Sequence, residues 1–338
     1  MPVYCLMRSG ICVIVVEVIE VEMDMKKIGC ALLLFVMVVA LTACKSTEQT
    51  EKSATAVVFT DDLGREVSVE NPQRVAALLG SFAQVWQLAG GSVIATADDA
   101  WDDLNLELAE DTVNLGNTKR LNLELLLAAE PDFILASTNT RQNVEWKETL
   151  ESTDIPVGYF DISDFEDYLR LLDICTDITG QKELYEKYGT RVQEQIDAVV
   201  EKSKKRVEEN GAPTVLSMVA SASAVYAKNS EGNVLGATLK SLGCINIADS
   251  DSMLLDNLSM EHILVSDPEY IFFVQRGDDE AGMREYVQQY LMENPLWGQL
   301  TAVKNGRVFF MEKNLYNLKP NHRWGEAYEI MEDILQNE

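Results

Sequence analysis

Histidine is almost missing from this chain: His262 and His322 are the two among 338 residues. A protein-only zinc or manganese site needs a cluster of His and carboxylates, which two separated imidazoles do not supply. The same scarcity leaves no Ser-His-Asp arrangement to place. The sequence also holds no GxSxG, no P-loop and no GxGxxG after a strand, so it argues against an enzyme. Basic residues are short as well: 28 Lys and Arg stand against 55 Asp and Glu, for a net charge of −27. Such a surface repels nucleic acid and anionic membranes, and an anionic ligand needs a local cluster of Arg or Lys. Six cysteines form no CxxC, and Cys5, Cys12 and Cys30 precede or lie within an N-terminal apolar segment. Cys44, Cys175 and Cys244 make no disulfide framework; Cys175 and Cys244 are read as buried thiols whose pairing stays open.

What is present begins with one long apolar run. Lys26 and Lys27 precede residues 28–40, and Leu41-Thr42-Ala43-Cys44 follows. A positive start, an apolar stretch and small residues at the cut are the architecture of a secretory signal. The cysteine after Leu-Thr-Ala resembles the lipobox of bacterial lipoproteins. That resemblance implies cleavage before Cys44, a lipid on its sulfur, and a chain tethered to the outer face of a membrane. The alternative is an uncleaved anchor helix, short for a span. Residues 1–24 carry an acidic run just before Lys26, which does not suit a signal, and are read as an extension upstream of a natural start at Met25. Residues 44–55 are polar and read as a flexible tether.

The rest is organised around residues 181–210. Leu184, Tyr188, Val192, Ile196 and Val200 recur every fourth residue, and the other faces are Glu, Lys, Arg and Gln. Asn210-Gly211 and Pro213 stop the pattern. About thirty residues at ~1.5 Å rise predict a rod of roughly 45 Å, with a local bend at Gly189. On either side stands a matching segment. LNLELLLAAEPDFIL (121–135) and LSMEHILVSDPEYIF (258–272) align without a gap. Leu121/Leu258, Glu124/Glu261, Leu127/Leu264, Pro131/Pro268 and Ile134/Ile271 are identical, and Glu130/Asp267 and Asp132/Glu269 are conservative. Each reads as a short helix, a turn at Pro and a buried strand, which predicts two similar lobes joined by one helix.

The pattern elsewhere predicts a small hairpin over 57–69, strands at 75–79, 93–97, 133–137, 157–160, 215–220, 245–248 and 307–311, and helices at 82–89 (capped by Ser81), 143–151, 164–179 (capped by Ser163), 233–242, 280–293 and 324–336. Strands alternating with helices mean parallel sheets covered on both faces. The expected fold is therefore α/β, two similar parallel-sheet lobes joined by a long helix, with the ligand cleft between them. The expected boundaries are 56–163 for the N-terminal lobe, 164–210 for the linker helices and 211–338 for the C-terminal lobe. Ligands on such sheets bind beyond the carboxyl ends of strands. Loops after strands offer Ser81, Phe82, Trp101, Lys119, Arg120, Asn139, Arg141, Tyr226, Arg276, Tyr316 and Arg323. Arg and Lys would supply charge-assisted bonds to anionic oxygens, and Trp or Tyr flat apolar contact.

The order of motifs then resembles a family. A lipobox precedes a Pro-Gln-Arg-Val-Ala-Ala-Leu strand. A Leu-Glu-x-Leu-Leu-x-x-x-Pro-Asp unit appears in each lobe in related form, and one long helix lies between. Asn-Pro-Leu-Trp, Val-Lys-Asn-Gly-Arg-Val-Phe and the stretch from Lys319 to Tyr328 stand near the end. This is similar to the substrate-binding lipoproteins of ABC importers for iron(III)-siderophores, haem or cobalamin. The resemblance implies a monomer that binds a ferric siderophore, carries no cofactor of its own, and docks on a permease served by an ATPase. It also implies one docking Glu per lobe. Twelve residues after Pro268 lies Glu280; the same offset after Pro131 is Asn143, so Glu145 is the nearest candidate, with Glu148 and Glu285 as an alternative pair. Haem or cobalamin remains the alternative ligand, with His322, Tyr226, Tyr316 or Met253 as axial candidates for haem, and a surface receptor without transport is a further reading.

Overall fold

The computed structural model describes residues 56–336 except 257. Cys44, the signal segment and the tether expected at 44–55 lie outside the described residues. β1 (Val57–Thr60) and β2 (Glu66–Val69) form the small antiparallel hairpin. β3 (Val75–Ala77), β4 (Val93–Thr96), β5 (Val113–Asn114), β6 (Phe133–Ser137) and β7 (Val157–Phe160) make a wholly parallel sheet in the order β5-β4-β3-β6-β7. β8 (Thr214–Ser221), β9 (Ala224–Lys228), β10 (Ile245–Asn246), β11 (Tyr270–Gln275) and β12 (Val308–Met311) make the second sheet in the order β10-β8-β11-β12, with β9 antiparallel on β8. β9 is absent from the sequence reading, and the predicted strand at 245–248 shortens to two residues before a 3₁₀ turn.

Strand residues alternate between two apolar layers because successive side chains point to opposite faces. In β6, Ile134 and Ala136 pack in an outer core of the first lobe, and Phe133 and Leu135 face the other way. In β11, Ile271 and Phe273 pack in an outer core of the second lobe, and Tyr270, Phe272 and Val274 face the other way. The layer they turn toward is one continuous core. It takes in both sheets, Val192, Ile196 and Val199 of the rod, and Trp324, Ala327 and Met331 of the last helix. A single close-packed core under both lobes resists large lobe motion.

The rod is helical from Lys182 to Asn210, as α-helix Lys182–Tyr185, a π turn Glu186–Thr190 and α-helix Arg191–Asn210. The π turn falls where the bend is predicted. Gly189 is buried there, and a Cβ on it would lie 3.0 Å from Leu169 Cδ2 of the Phe165–Thr179 helix. The fully buried stripe continues past Val199 as Ser203 and Arg206, with Val200 half-buried against the same core. Arg206 is held by Glu332 (3.1 Å) and donates to the carbonyl of Leu242 (2.8 Å). Two caps also differ. Asp164, not Ser163, caps the Phe165–Thr179 helix through a reciprocal bond with Asp167. Ser81 lies inside the Gly80–Leu88 helix, whose N-cap is Leu79. Cys175 and Cys244 are both free, the first buried and the second half-buried.

The two matched segments fold alike. Each gives a short helix (Leu123–Ala128; Met260–Ser266) and then a buried strand, β6 or β11. Glu130 and Asp267 both take positive φ, 49° and 38°, at the turn between. Two residues on, the Asp132 carboxylate accepts from the backbone N–H of Gln73 (2.7 Å) and Arg74 (2.8 Å), and Glu269 accepts from Thr214 N–H (2.8 Å). In both lobes an acidic side chain thus pins the start of the neighbouring strand.

Candidate functional site: the cleft between the lobes

The carboxyl ends of the strands open onto a cavity of about 240 Å³. The first lobe contributes Leu79 and Ser81 after β3, Asp98, Asp99, Asp102 and Asp103 after β4, and Asn117 to Lys119 after β5. The second contributes Arg276 to Asp278 after β11, and Lys313 and Asn317 to Lys319 after β12. Lys119 and Arg276 also line a recess on each side, one reaching Asn139, Arg141 and Glu145, the other Ser221 to Ala224 and Tyr226. They therefore stand at the centre of the cleft.

The acidic wall is built by close approach. A Cβ on Gly80 would lie 2.5 Å from the backbone nitrogen of Ala100, so glycine lets the Asp99–Asp102 turn pack against the start of the Gly80–Leu88 helix. Gly80 N–H donates to Asp99 Oδ1 (2.9 Å). Burial nonetheless pushes Asp99 up to about 6, and the neighbouring Asp103 and Asp98 carboxylates add to the rise. Asp98 is raised by burial and by Asp102. Asp103 is neutralised from across the cleft: Lys313 Nζ reaches Asp103 Oδ1 (2.6 Å) and Asp278 Oδ1 (2.7 Å), and Asn314 Nδ2 donates to the Asp103 carbonyl (2.9 Å). Burial pulls the Lys313 pKa down, but the bonds to both aspartates outweigh it and hold it above the ordinary lysine value.

Not every predicted residue comes to the cleft. Lys119 and Arg276 do, and among the described residues neither side chain has a carboxylate or hydrogen-bond partner. Tyr226 is exposed on β9 and lines one recess; Asn139 lines the other, with its amide on Asp161 Oδ1. Arg141 reaches that recess with a side chain 92% exposed, paired to Glu145 (2.7 Å). Arg120 is exposed and outside the lining, and Trp101 is half-buried on the Asp99–Asp102 turn beside it. Tyr316 does not reach the cleft: it is fully buried and donates to the carbonyl of Ala327 (2.7 Å). Arg323 is spent on Glu326 (2.7 and 2.8 Å) and Glu312 (3.4 Å), away from the cavity. Phe82 belongs to the shared core. Of the axial candidates for haem, Met253 is exposed on the Ser252–Asp256 helix, and His322 is half-buried against Tyr188 with Nδ1 unbonded. The structure does not bring them together with Tyr226 in one recess.

Among the described residues, no group of three or more His, Cys, Asp or Glu is placed to hold a metal ion. No helix there is long and apolar enough to cross a membrane. Sequence reasoning missed Lys313, Lys319 and the aspartates. The rule of loops after strands reaches all of them, but in so acidic a chain residue type does not single out any Asp. Glu145 and Glu280 are both exposed at the ends of short helices, each paired with an Arg four residues away (Arg141; Arg284, 2.8 Å).

Several known proteins are similar to this chain. The iron-uptake system-binding protein of Bacillus subtilis is 23% identical over 299 residues, covering 84% of this chain and 90% of that one. The Fe(3+)-citrate-binding protein of the same organism is 23% identical over 291 residues, covering 82% and 86%. Among solved structures, Staphylococcus aureus SirA complexed with staphyloferrin B superposes with a TM-score of 0.65 at 19% identity, covering 82% of this chain and 98% of that one. Residues 75–315 match the periplasmic binding protein family. The chain belongs to that family, the extracytoplasmic substrate-binding proteins of ABC importers, and is a binding protein rather than an enzyme.

Proposed function

We propose that the chain captures an iron(III) chelate with anionic oxygens, a ferric siderophore, and delivers it to a membrane permease. The observation that carries this is the meeting of Lys119 and Arg276, unpaired among the described residues, at the centre of the cleft of a chain with net charge −27. Both side chains are exposed, so two positive groups without a protein counter-charge face an anion that enters the cleft. The names of the relatives support the same reading: one serves iron uptake, one binds Fe(3+)-citrate, and one solved structure holds staphyloferrin B. In this reading a lipid on Cys44 tethers the monomer to the outer membrane face. Glu145 and Glu280, one on each lobe, meet the permease, whose partner ATPase drives import.

The test is a titration of the purified protein with ferric citrate, a ferric catecholate, a ferric hydroxamate, haem and cobalamin, followed by tryptophan fluorescence. Saturable quenching by a ferric chelate is expected, weakened about tenfold or more in Lys119→Ala or Arg276→Ala. A response to haem or cobalamin alone, or an Arg276→Ala protein that binds as well as the parent, would sink the proposal.

A further inference from the structure

Lys319 is half-buried in the cleft wall, on the segment that follows the Lys313–Tyr316 helix. The other half-buried or buried cations among the described residues have partners. Arg65, Lys147, Arg170, Arg206, Lys313 and Arg323 hold carboxylates, and Arg307 lies over the Tyr270 ring (4.9 Å). Lys319 has neither a carboxylate nor a ring. The acidic groups that bear on it electrostatically are Asp161 and Asp167, and both are engaged elsewhere. Asp161 Oδ1 accepts from Asn139 and Ser163, and Asp167 caps the backbone N–H of Ser163 (2.9 Å). Burial holds the Lys319 ammonium below the ordinary lysine range.

Backbone and side-chain bonds fix the segment that carries Lys319 on both sides. Leu318 N–H donates to the Lys313 carbonyl (2.9 Å). On the other side Pro320 is buried, and Asn321 Nδ2 donates to the Ser81 carbonyl (2.9 Å) and to Gln84 Oε1 (2.8 Å). The segment runs from the second lobe onto the first and carries Lys319 at the cavity wall. A half-buried ammonium without a protein partner costs stability, and a ligand that enters the cavity it lines can complete the pair.

We propose that Lys319 is the specificity-determining cation of the cleft, its ammonium taking an anionic oxygen of the bound chelate as counter-ion. This rests on the iron-chelate reading above and adds a choice within it: anionic ferric chelates are accepted and neutral ones disfavoured, because a neutral chelate leaves the ammonium unpaired.

The test compares the full chain with Lys319→Met and Lys319→Arg, reading the ligand-free Tm and the Kd for ferric citrate and for a neutral ferric trihydroxamate. Lys319→Met is expected to melt at or above the parent Tm, since an unpaired charge is removed. Its affinity for ferric citrate is expected to fall about ten- to a hundredfold, and its affinity for the neutral chelate to stay or rise. Lys319→Arg keeps the charge and is expected to bind ferric citrate within about tenfold of the parent. A structural lysine would give a different result, with Tm falling together with the affinity for both chelates, and that outcome overturns the proposal. So does a Lys319→Met protein that binds ferric citrate like the parent, a Lys319→Arg protein as weak as Lys319→Met, or a parent that prefers the neutral chelate; each leaves the iron-chelate reading standing. A parent that binds no ferric chelate overturns that reading and this inference with it.

Discussion

The two lobes are built alike at the amino ends of their sheets and unlike at the carboxyl ends. At the amino ends, Asp132 and Glu269 each accept from backbone N–H at the start of the neighbouring strand, after the same left-handed turn. At the carboxyl ends, the first lobe presents Asp98, Asp99 and Asp102 with Lys119, while the second presents Arg276, Lys313 and Lys319 with Asp278. The attachments to the rod differ too. On the first lobe's side the Phe165–Thr179 helix meets it through apolar packing at Gly189, a bond from Tyr168 Oη to the Tyr188 carbonyl (3.0 Å) and exposed ion pairs of Lys182 with Asp173 and Asp177 (2.7 Å each). The second meets it through the buried Arg206–Glu332 pair. Repetition therefore reaches as far as the scaffold, and ligand recognition and lobe anchoring lie where the halves no longer match.

The largest expected effect breaks the second attachment. Arg206→Met leaves Glu332, itself about 1% exposed in its side chain, without a cation, its Oε1 still accepting only from Gln336 Nε2 (2.9 Å). The expected loss is about 3–5 kcal/mol in denaturant unfolding. Arg206→Met with Glu332→Leu removes both charges and should recover most of it. Tyr168→Phe, the counterpart on the Phe165–Thr179 helix, should cost about 1 kcal/mol. Equal losses for Arg206→Met and Tyr168→Phe would erase the contrast between the two attachments.

A smaller effect separates the cleft edges. Folding raises Asp99 from its ordinary value of 3.8 to about 6, so the folded chain favours its protonated form. That contribution to stability is fully present below about pH 3.8 and is lost as pH rises through about 6. Asp99→Asn keeps an oxygen to accept from Gly80 N–H and removes the charge. It should stabilise the ligand-free protein by about 1–3 kcal/mol at pH 7, with the gain vanishing below about pH 4. Asp278→Asn, on the exposed and paired aspartate of the other lobe, should give no such gain. The Tm difference between Asp99→Asn and the parent, followed from pH 4 to 8, checks this; a difference independent of pH would show that burial of the Asp99 charge is not its source.

These contrasts mark what the sequence could reveal. The rod is legible because its apolar residues recur at helical spacing, but the continuation of the buried stripe through Ser203 and Arg206 depends on Glu332, more than a hundred residues away. The repeat is legible as an ungapped echo, and its physical reason resides in the same residues, Glu130 and Asp267 at the turn and Asp132 and Glu269 beyond it. β9 is hidden because it is short, with only Val225 and Tyr226 as strand formers, and because the small Ser221-Ala222-Ser223 stretch before it is a weak turn signal. In the cleft, position after a strand finds Lys119 and Arg276. Choice by residue type also picks Tyr316 and Arg323, whose needs are met by the Ala327 carbonyl and by Glu326. The Arg323–Glu326 pair, three residues apart, is visible in the sequence as local spacing; the partner of Tyr316 is not.

The smallest expected effect tests the repeat at its closest match. Glu130 and Asp267 both hold positive φ, a conformation that strains a side chain and suits glycine. In the first lobe the turn is also held by backbone carbonyls: Arg74 Nε donates to the Glu130 carbonyl (2.9 Å) and Nη2 to that of Ala129 (2.5 Å). Glu130→Gly leaves those bonds intact and should stabilise the protein by about 0.5–1 kcal/mol. Asp267 has a second task, because its carboxylate accepts from Thr301 N–H (2.7 Å) and Thr301 Oγ1 (2.7 Å), the bonds that hold it below the usual carboxylate range. Asp267→Gly relieves the same strain but loses both bonds at the start of the Thr301–Lys304 helix, so a net loss of about 1 kcal/mol is expected. Opposite signs at matched positions would show that the shared turn is a backbone requirement to which the second lobe has added a side-chain role; the same sign at both would mean that the Thr301 bonds contribute nothing beyond the turn itself.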